Sequence, residues 1–339
     1  MQAQHRQLTV VVPAHQAEAT LGRCLAALAS AGFAPGEIVV VDDGSRDRTG
    51  AIARAQGVRV LRHDTPRRPA EARNAGVRAS AGAAIVAFVD ADVAVHGDVR
   101  ERILSRFEAE PDLDALFGSY DTAPTAPAVV SRYRNLLHHF VHRRAHPDAE
   151  TFWTGLGAVR RARFEALDGF DPAWDYLEDV EFGLRLRAAG GRIRLDPAIQ
   201  GTHLKAWTLG SMLRTDLWGR AIPWTRLLRA RAARTGGLNT AREHQIAALS
   251  VALFVACALA APLWLPAGFG ALGAAALFWG ANARFFGFLS RLHGPLFALR
   301  AAPYHAAHYG AALAGYLWVR FAERAPRGDP VAADRAPPG

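Results

Sequence analysis

Over the first 120 positions, short apolar runs of strand length alternate with segments whose apolar residues recur at helical spacing. Positions 8–12, 37–41, 58–61 and 84–89 read as strands, and the run at 84–89 is continuous enough to be buried on both faces. Between them, 20–31 sets Leu21, Leu25 and Leu28 four and three apart, Asp47 caps a helix reaching about 56, and 70–80 forms another. A helix over 99–109 and a strand over 115–119 continue the series. This alternation predicts an α/β domain with a mainly parallel sheet, in which ligands bind beyond the carboxyl ends of the strands. Asp42, Asp43, Asp90 and Asp92 all fall at such ends.

Further along, 129–146 has helical spacing and carries His138, His139, His142 and His146. No cysteine or well-spaced acid accompanies them, so a partly exposed basic helix lining a cleft or facing lipid headgroups is preferred to a zinc site. An apolar strand is predicted over 152–159, and its two glycines suggest close approach by a ligand. After a turn at Gly169-Phe170-Asp171, a helix opens at 177 and stops at Gly190-Gly191. Its first turn holds Glu178, Asp179 and Glu181, and the helix dipole alone accounts for one such acid.

Beyond His203 the pattern changes. Leu204, Trp207, Met212, Leu213, Leu217, Trp218, Trp224, Leu227 and Leu228 recur three and four apart among arginines, with Pro223 dividing the stretch. Such segments suit helices lying in a membrane interface, or a basic amphipathic helix packed on the globular domain. From 245 to 283 there is no charged residue, and prolines and glycines interrupt the middle. This predicts a transmembrane hairpin with spans of about 246–265 and 267–283. Arg226, Arg229, Arg231 and Arg234 before it and Arg284 and Arg291 after it place both ends in the cytoplasm. A third apolar helix over about 301–319 carries His305, His308, Tyr309 and Tyr316 on one face; the arginines that follow favour an interfacial position. The expected organisation is a catalytic domain over 1–205, interface helices over 206–244, a membrane region over 245–325 and a disordered tail over 326–339.

Composition narrows this picture. The 339 residues are 50% hydrophobic with a net charge of +9, enough for a large core plus membrane-facing surface. The basic excess asks for an anionic partner. Its concentration around the apolar hairpin points to anionic lipid and nucleotide phosphates, and away from nucleic acid. Cys24 and Cys257 are too few and too separated for a disulfide framework or a thiolate metal site, which suits a reducing cytosolic face. The N-terminal apolar run is broken by Pro13 too soon for a signal peptide.

Asp90 and Asp92, at i and i+2 on a continuing strand, point to one side, where a hard cation such as Mg²⁺ or Mn²⁺ could share them with substrate phosphates. Taken alone, the pair could equally be an acidic loop. Its surroundings decide: residues 8–205 resemble the family 2 glycosyltransferases, whose fold is the nucleotide-sugar-binding GT-A domain. The matching stretches are VVVPAHQAEATLGRCLAAL, VVVDDGSRDRT, EARNAGVRASAGAAIVAFVDADV and TGLGAVRRARFEALDGFDPAWDYLEDVEFGLRLRAAG. The resemblance implies that Pro13, His15, Glu18, Asp42 and Asp43 surround the base and ribose of a nucleoside diphosphate sugar of UDP or GDP type, with Arg73 near the phosphates. It implies that Asp90 and Asp92 position ribose and metal, that His203 can join as a ligand, and that Asp179 of the Glu178-Asp179 pair is the catalytic base. One departure is His15-Gln16 where the family usually has Tyr-Asn, which leaves the nucleobase open.

The expected activity is a membrane-anchored, metal-dependent, inverting transfer of a sugar to a lipid or lipid-linked acceptor. It would take place at a bacterial-type inner membrane, with the catalytic domain in the cytoplasm. A polyprenyl-phosphate acceptor is the alternative within the family, and a non-catalytic sugar-nucleotide sensor the alternative outside it. A processive synthase is disfavoured by too few helices for a channel and by the lack of a Gln-x-x-Arg-Trp sequence.

Overall fold

The structure is a computed structural model describing residues 8–80, 82–231 and 242–323. Arg234, Arg324, Arg327 and the tail expected to be disordered lie outside the described residues.

Eight strands form one sheet. In chain order they are β1 (Leu8–Ala14), β2 (Ile38–Asp43), β3 (Arg59–His63), β4 (Ile85–Val89), β5 (Val93–Val95), β6 (Ala115–Tyr120), β7 (Leu156–Arg160) and β8 (Ile193–His203). Their spatial order is β3-β2-β1-β4-β7-β6-β8-β5. The helices of this part are α1 (Leu21–Ser30), α2 (Thr49–Ala55), α3 (Arg68–Ala79), α4 (Val99–Ala109), α5 (Val129–Arg144), α6 (Arg161–Ala166) and α7 (Glu178–Ala188).

The expected mainly parallel sheet is found only in part. β3, β2, β1 and β4 are mutually parallel, as is the β6–β8 pair. β7, however, enters antiparallel between β4 and β6, and β5 runs antiparallel to β8. The reversal has a positional effect: it brings the start of β7 beside the end of β4, where the Asp90 amide donates to the Gly155 carbonyl at 3.2 Å. The two glycines of this segment serve packing and not ligand approach. A Cβ on Gly155 would fall 2.2 Å from the Trp153 ring, and one on Gly157 would fall 2.3 Å from the Trp153 carbonyl.

Strand alternation sends Val10 and Val12 to one face of the sheet, against Leu21, Leu25 and Leu28 of α1, and Val11 to the other. On that second face Phe88 packs in an aromatic cluster, its ring 5.2 Å from Phe170 and 5.7 Å from Phe164. Edge-to-face contacts of this kind add to the burial of each ring.

Beyond the sheet lie α8 (Leu209–Asp216), a π-helical turn Leu217–Ala221, α9 (Ile222–Arg231), α10 (Arg242–Ala260), α11 (Pro266–Ala281), α12 (Ala283–His293) and α13 (Pro295–Leu317). Tyr133 and Leu136 of α5 form a buried cluster with Met212, Phe278, Phe285, Phe286, Leu289 and Phe297. The face of 204–228 expected to meet lipid is therefore largely used inside the protein. Leu204, Trp207, Met212, Ile222 and Leu227 are buried, while Trp218 and Leu209 stay exposed.

Where a transmembrane hairpin is expected, the chain forms two connected helices of unequal length, α10 and α11. The first ends at Ala260, short of the predicted 265, because Pro262 and Pro266 bracket a turn. Among the described residues, only α10, with 19 residues, is long and apolar enough to cross a membrane. α11 has 16 residues; at about 1.5 Å per residue it reaches about 24 Å, against about 30 Å of bilayer hydrocarbon. The third apolar segment lies within α13, with His305 and Tyr309 buried and Tyr316 exposed.

Candidate active site

The ends of β1, β2 and β4, the turn before β7 and the start of α7 meet around one cleft. On the side of β1 and β2, Asp42 is fully buried and accepts from Arg62 Nη1 at 2.7 Å and from the Ser45 amide at 3.0 Å. Asp43 accepts from the amides of Arg67 and Arg68 at 2.8 and 2.9 Å and meets His63 Nδ1 at 2.6 Å. Both carboxylates thus brace the walls of the pocket. His15 is exposed, its Nδ1 2.8 Å from the Asp43 carbonyl, so that Nδ1 donates and the rest of the ring is left towards the cleft. Gln16 and Glu18 accept the amides of Arg46, Asp47 and Arg48, which laces the loop after β1, carrying Pro13, to the loop after β2.

Arg73 links two distant parts of the chain. Its Nη2 donates to Asp90 at 2.7 Å and its Nη1 pairs with Glu178, 105 residues away in sequence. The two terminal nitrogens expected near phosphates are therefore committed to carboxylates. Its neighbour Asn74 clamps the turn before α7, accepting the Phe170 amide at 3.0 Å and donating to the Phe170 carbonyl at 2.7 Å. Leu177, with φ at +63°, then holds the left-handed conformation that swings Glu178 and Asp179 to the cleft. Burial pushes the Glu178 carboxyl up to about 7, against the pull of Arg73. Burial also raises Asp90; Arg73 opposes the shift and Asp92 reinforces it.

Asp179 is positioned by a residue that the sequence pattern did not single out. Thr154 donates to Asp179 Oδ2 from both its amide, at 3.1 Å, and its hydroxyl, at 3.2 Å. Thr154 precedes the glycines of the 152–159 segment, and that proximity to a Gly-rich turn was the only signal for it.

Asp92 and His203 come together. His203 Nε2 lies 3.4 Å from Asp92 Oδ2, and Nδ1 lies 2.5 Å from Asn135 Oδ1. An amide oxygen only accepts, so Nδ1 carries a proton. Nε2 and Asp92 Oδ2 then face each other across one position, which a proton fills when the ring is charged and a divalent cation would fill when it is neutral. The ring is further fixed by stacking on Tyr120, centroids 4.3 Å apart and planes 8° from parallel. Although burial works against its charged form, the His203 hydrogen bond and the charges of His203 and Lys205 hold Asp92 below the usual carboxylate range. Asp90 faces Arg73 instead. Mg²⁺ or Mn²⁺ takes one or two protein carboxylates plus phosphates and water, so Asp92 and His203 fit such an ion, with Asp90 adjacent. Among the described residues no cluster of three or more His, Cys, Asp or Glu forms a complete metal cage.

The histidines of α5 differ from expectation. His139 and His142 are buried, with Nδ1 atoms 2.7 Å from the Tyr120 carbonyl and 3.1 Å from the Gly118 carbonyl, and so tie α5 to β6. Burial lowers His142 to about 4 and also lowers His138 and His139. His139 and His142 are neutral anchors, and of the four only His146 is exposed. On the same helix Ser131 accepts the Trp207 amide at 2.7 Å, Tyr133 meets His305 Nδ1 at 3.0 Å, and Arg134 pairs with Asp216 at 2.5 Å.

Comparison with known proteins agrees with this geometry. Residues 9–167 match the family described as Glycosyl transferase family 2, which supports a family 2 domain of GT-A type over that stretch. An uncharacterized glycosyltransferase of Haemophilus influenzae is 26% identical over 192 residues, 53% of this chain and 61% of that protein. The pre-mycofactocin glycosyltransferase of Mycobacterium tuberculosis is 29% identical over 212 residues, 59% of this chain and 43% of that protein. The chain thus spans about half the length of these curated relatives. Among solved structures, the mannosyltransferase PcManGT of Pyrobaculum calidifontis, in complex with GDP-Man and Mn²⁺, aligns over 93% of this chain and 88% of that one. Its TM-score is 0.57 and its identity 22%, a likeness of fold.

Proposed function

We propose that this chain is a metal-dependent, inverting glycosyltransferase that moves a sugar from a nucleoside diphosphate sugar to a lipid or lipid-linked acceptor at the cytoplasmic leaflet. The observation that carries the reading is the Asp90–Arg73–Glu178 bridge, which joins the Asp-x-Asp strand end to the Glu-Asp helix start in one cleft. It supports a two-sided site, with Asp90 and Asp92 on the donor side and Asp179 on the acceptor side.

Departure of a nucleoside diphosphate leaves negative charge on phosphate while the anomeric carbon turns positive. A divalent cation held by Asp92 and His203 would supply charge neutralisation at the leaving diphosphate when bound. The chain's own residues do the rest. Asp179, oriented by Thr154, takes the proton of the attacking acceptor hydroxyl; the attack comes from the face opposite the leaving group, so the anomeric configuration inverts. A positioned carboxylate contributes about 10²- to 10⁴-fold by general-base catalysis. Asp179→Asn should lower kcat by that factor in a transfer assay with membranes, Mn²⁺ and a panel of nucleotide sugars. Full activity of the variant, or a product of retained configuration, would sink this mechanism. Binding of nucleotide sugars without turnover for any acceptor would instead favour a sensor.

Membrane attachment is supported by the apolar surface of α10 and α11. Leu259, Leu263, Leu265, Phe269 and Leu272 are mostly exposed, Leu263 at 92%. A contiguous apolar face of this kind marks a lipid or partner surface. With arginines on the flanking helices, it suits a hairpin entering the bilayer from the cytoplasmic side. Flotation of the full chain with anionic vesicles tests this; recovery at the bottom of the gradient would refute it.

A further inference from the structure

Arg220 stands in the π-helical turn Leu217–Ala221, between α8 and α9. Such turns admit an extra residue into a helix and recur at functional sites. Asp216, just before the turn, is buried and already shared by Arg134 at 2.5 Å and His308 at 3.0 Å. Arg220 has no hydrogen-bond or ion-pair partner among the described residues, and its side chain, although crowded by surrounding protein, still reaches solvent. Two guanidinium groups therefore face one carboxylate, which leaves a surplus positive charge.

The turn is seated on the acceptor side of the cleft. A Cβ placed on Gly219 would lie 3.4 Å from the ring of Tyr176, and Tyr176 immediately precedes the Leu177-Glu178-Asp179 corner. The charge of Arg134, the largest influence, and then crowding by protein draw Arg220 down to about 10, while the carboxylates of Asp216 and Asp179 pull the other way. It remains a cation at neutral pH, unpaired and near the proposed base.

We propose that Arg220, backed by Arg134, is an anion site on the acceptor side, taking a phosphate or similar oxyanion carried by the acceptor next to its attacking group. The inference rests on reading Asp179 as the acceptor side of a glycosyltransferase site. A planar guanidinium suits a tetrahedral oxyanion through paired hydrogen bonds. A lipid phosphate and a soluble phosphate ester share this chemistry.

The test uses the full chain in detergent and calorimetric titration with GDP or UDP plus Mn²⁺, farnesyl phosphate, farnesol and inorganic phosphate. Farnesyl phosphate should bind wild type, Arg220→Gln should weaken it about 10- to 100-fold, the loss of one charged hydrogen-bonding partner, and Arg220→Lys should recover part. Farnesol should bind far more weakly than farnesyl phosphate. Inorganic phosphate binding as tightly as farnesyl phosphate, with the same Arg220 dependence, would uphold the site and assign it to a soluble acceptor. Unchanged farnesyl phosphate binding in Arg220→Gln, or no binding of either phosphate by wild type, would overturn the proposal. So would a parallel loss of nucleotide binding in the variant, which would move Arg220 to the donor side. A wild-type protein that binds farnesyl phosphate through Arg220 but no nucleotide would refute the glycosyltransferase reading and leave the anion site standing.

Discussion

Thr154 meets one oxygen of Asp179 twice, from its amide at 3.1 Å and from its hydroxyl at 3.2 Å. The amide contact survives any side chain, so Thr154→Val isolates the hydroxyl. Loss of one charge-assisted hydrogen bond, about 1.5–3 kcal/mol, should lower kcat roughly tenfold or more through misorientation of Asp179. Donor KM should stay near wild type, and Thr154→Ser should restore most of kcat. A rise in donor KM with unchanged kcat would place Thr154 elsewhere in the reaction.

Asn135 fixes the proton on His203 from behind. Removing that acceptor with Asn135→Leu frees the imidazole to rotate and to change tautomer. Partners of this kind typically contribute 10- to 100-fold in metal affinity, about the effect expected here. Electron paramagnetic resonance titration of Mn²⁺ in the presence of nucleotide measures it directly. An unchanged Mn²⁺ affinity would show that Asn135 does not position a metal ligand.

The buried Arg134–Asp216 pair links α5 to α8. Asp216→Asn leaves Arg134 buried without its counter-charge, a change that typically costs about 3–5 kcal/mol. Although burial alone would raise it, Asp216 is held below the ordinary aspartate value of 3.8 by His308 and then Arg134. Its contribution to stability is therefore present above pH 3.8 and is lost as pH falls through the lower folded value. Thermal melts should show wild type losing stability below that point and the Asn variant losing less. Parallel pH profiles would show that the pair does not carry the linkage.

Leu263 lies at the tip of the α10–α11 hairpin and touches little of the protein. Leu263→Asp should leave the thermal midpoint within a few degrees while removing most vesicle binding in flotation. Retained flotation would mean that attachment runs through another surface.

How far the sequence carried this picture depends on what each element is made of. β1, β2 and β4 were readable because each is an unbroken apolar run buried on both faces. β8 was not: IRLDPAIQGTH mixes charge, proline and glycine, and it is held by pairing with β6 and by the sheet edge made with β5. The acids of the site were legible from their motifs. Their partners were not, because Arg73–Glu178 and His203–Asn135 are separated by 105 and 68 residues. His139 and His142 read as basic surface from composition alone; only the carbonyls of β6 show them to be neutral struts. The glycines at 155 and 157 invited a ligand reading, yet the bulk they avoid is Trp153 and Phe152.

Three consecutive residues of α5 face three different regions. Tyr133 reaches His305 in the apolar bundle, Arg134 reaches Asp216 at the interface helices, and Asn135 reaches His203 in the cleft. One turn of helix cannot rotate for one of these without rotating for all. A tilt of the bundle therefore bears on the position of the His203 ring through α5. Among the described residues α5 joins sheet and bundle directly, so the helical bundle also sets the aim of the pair proposed to hold the metal.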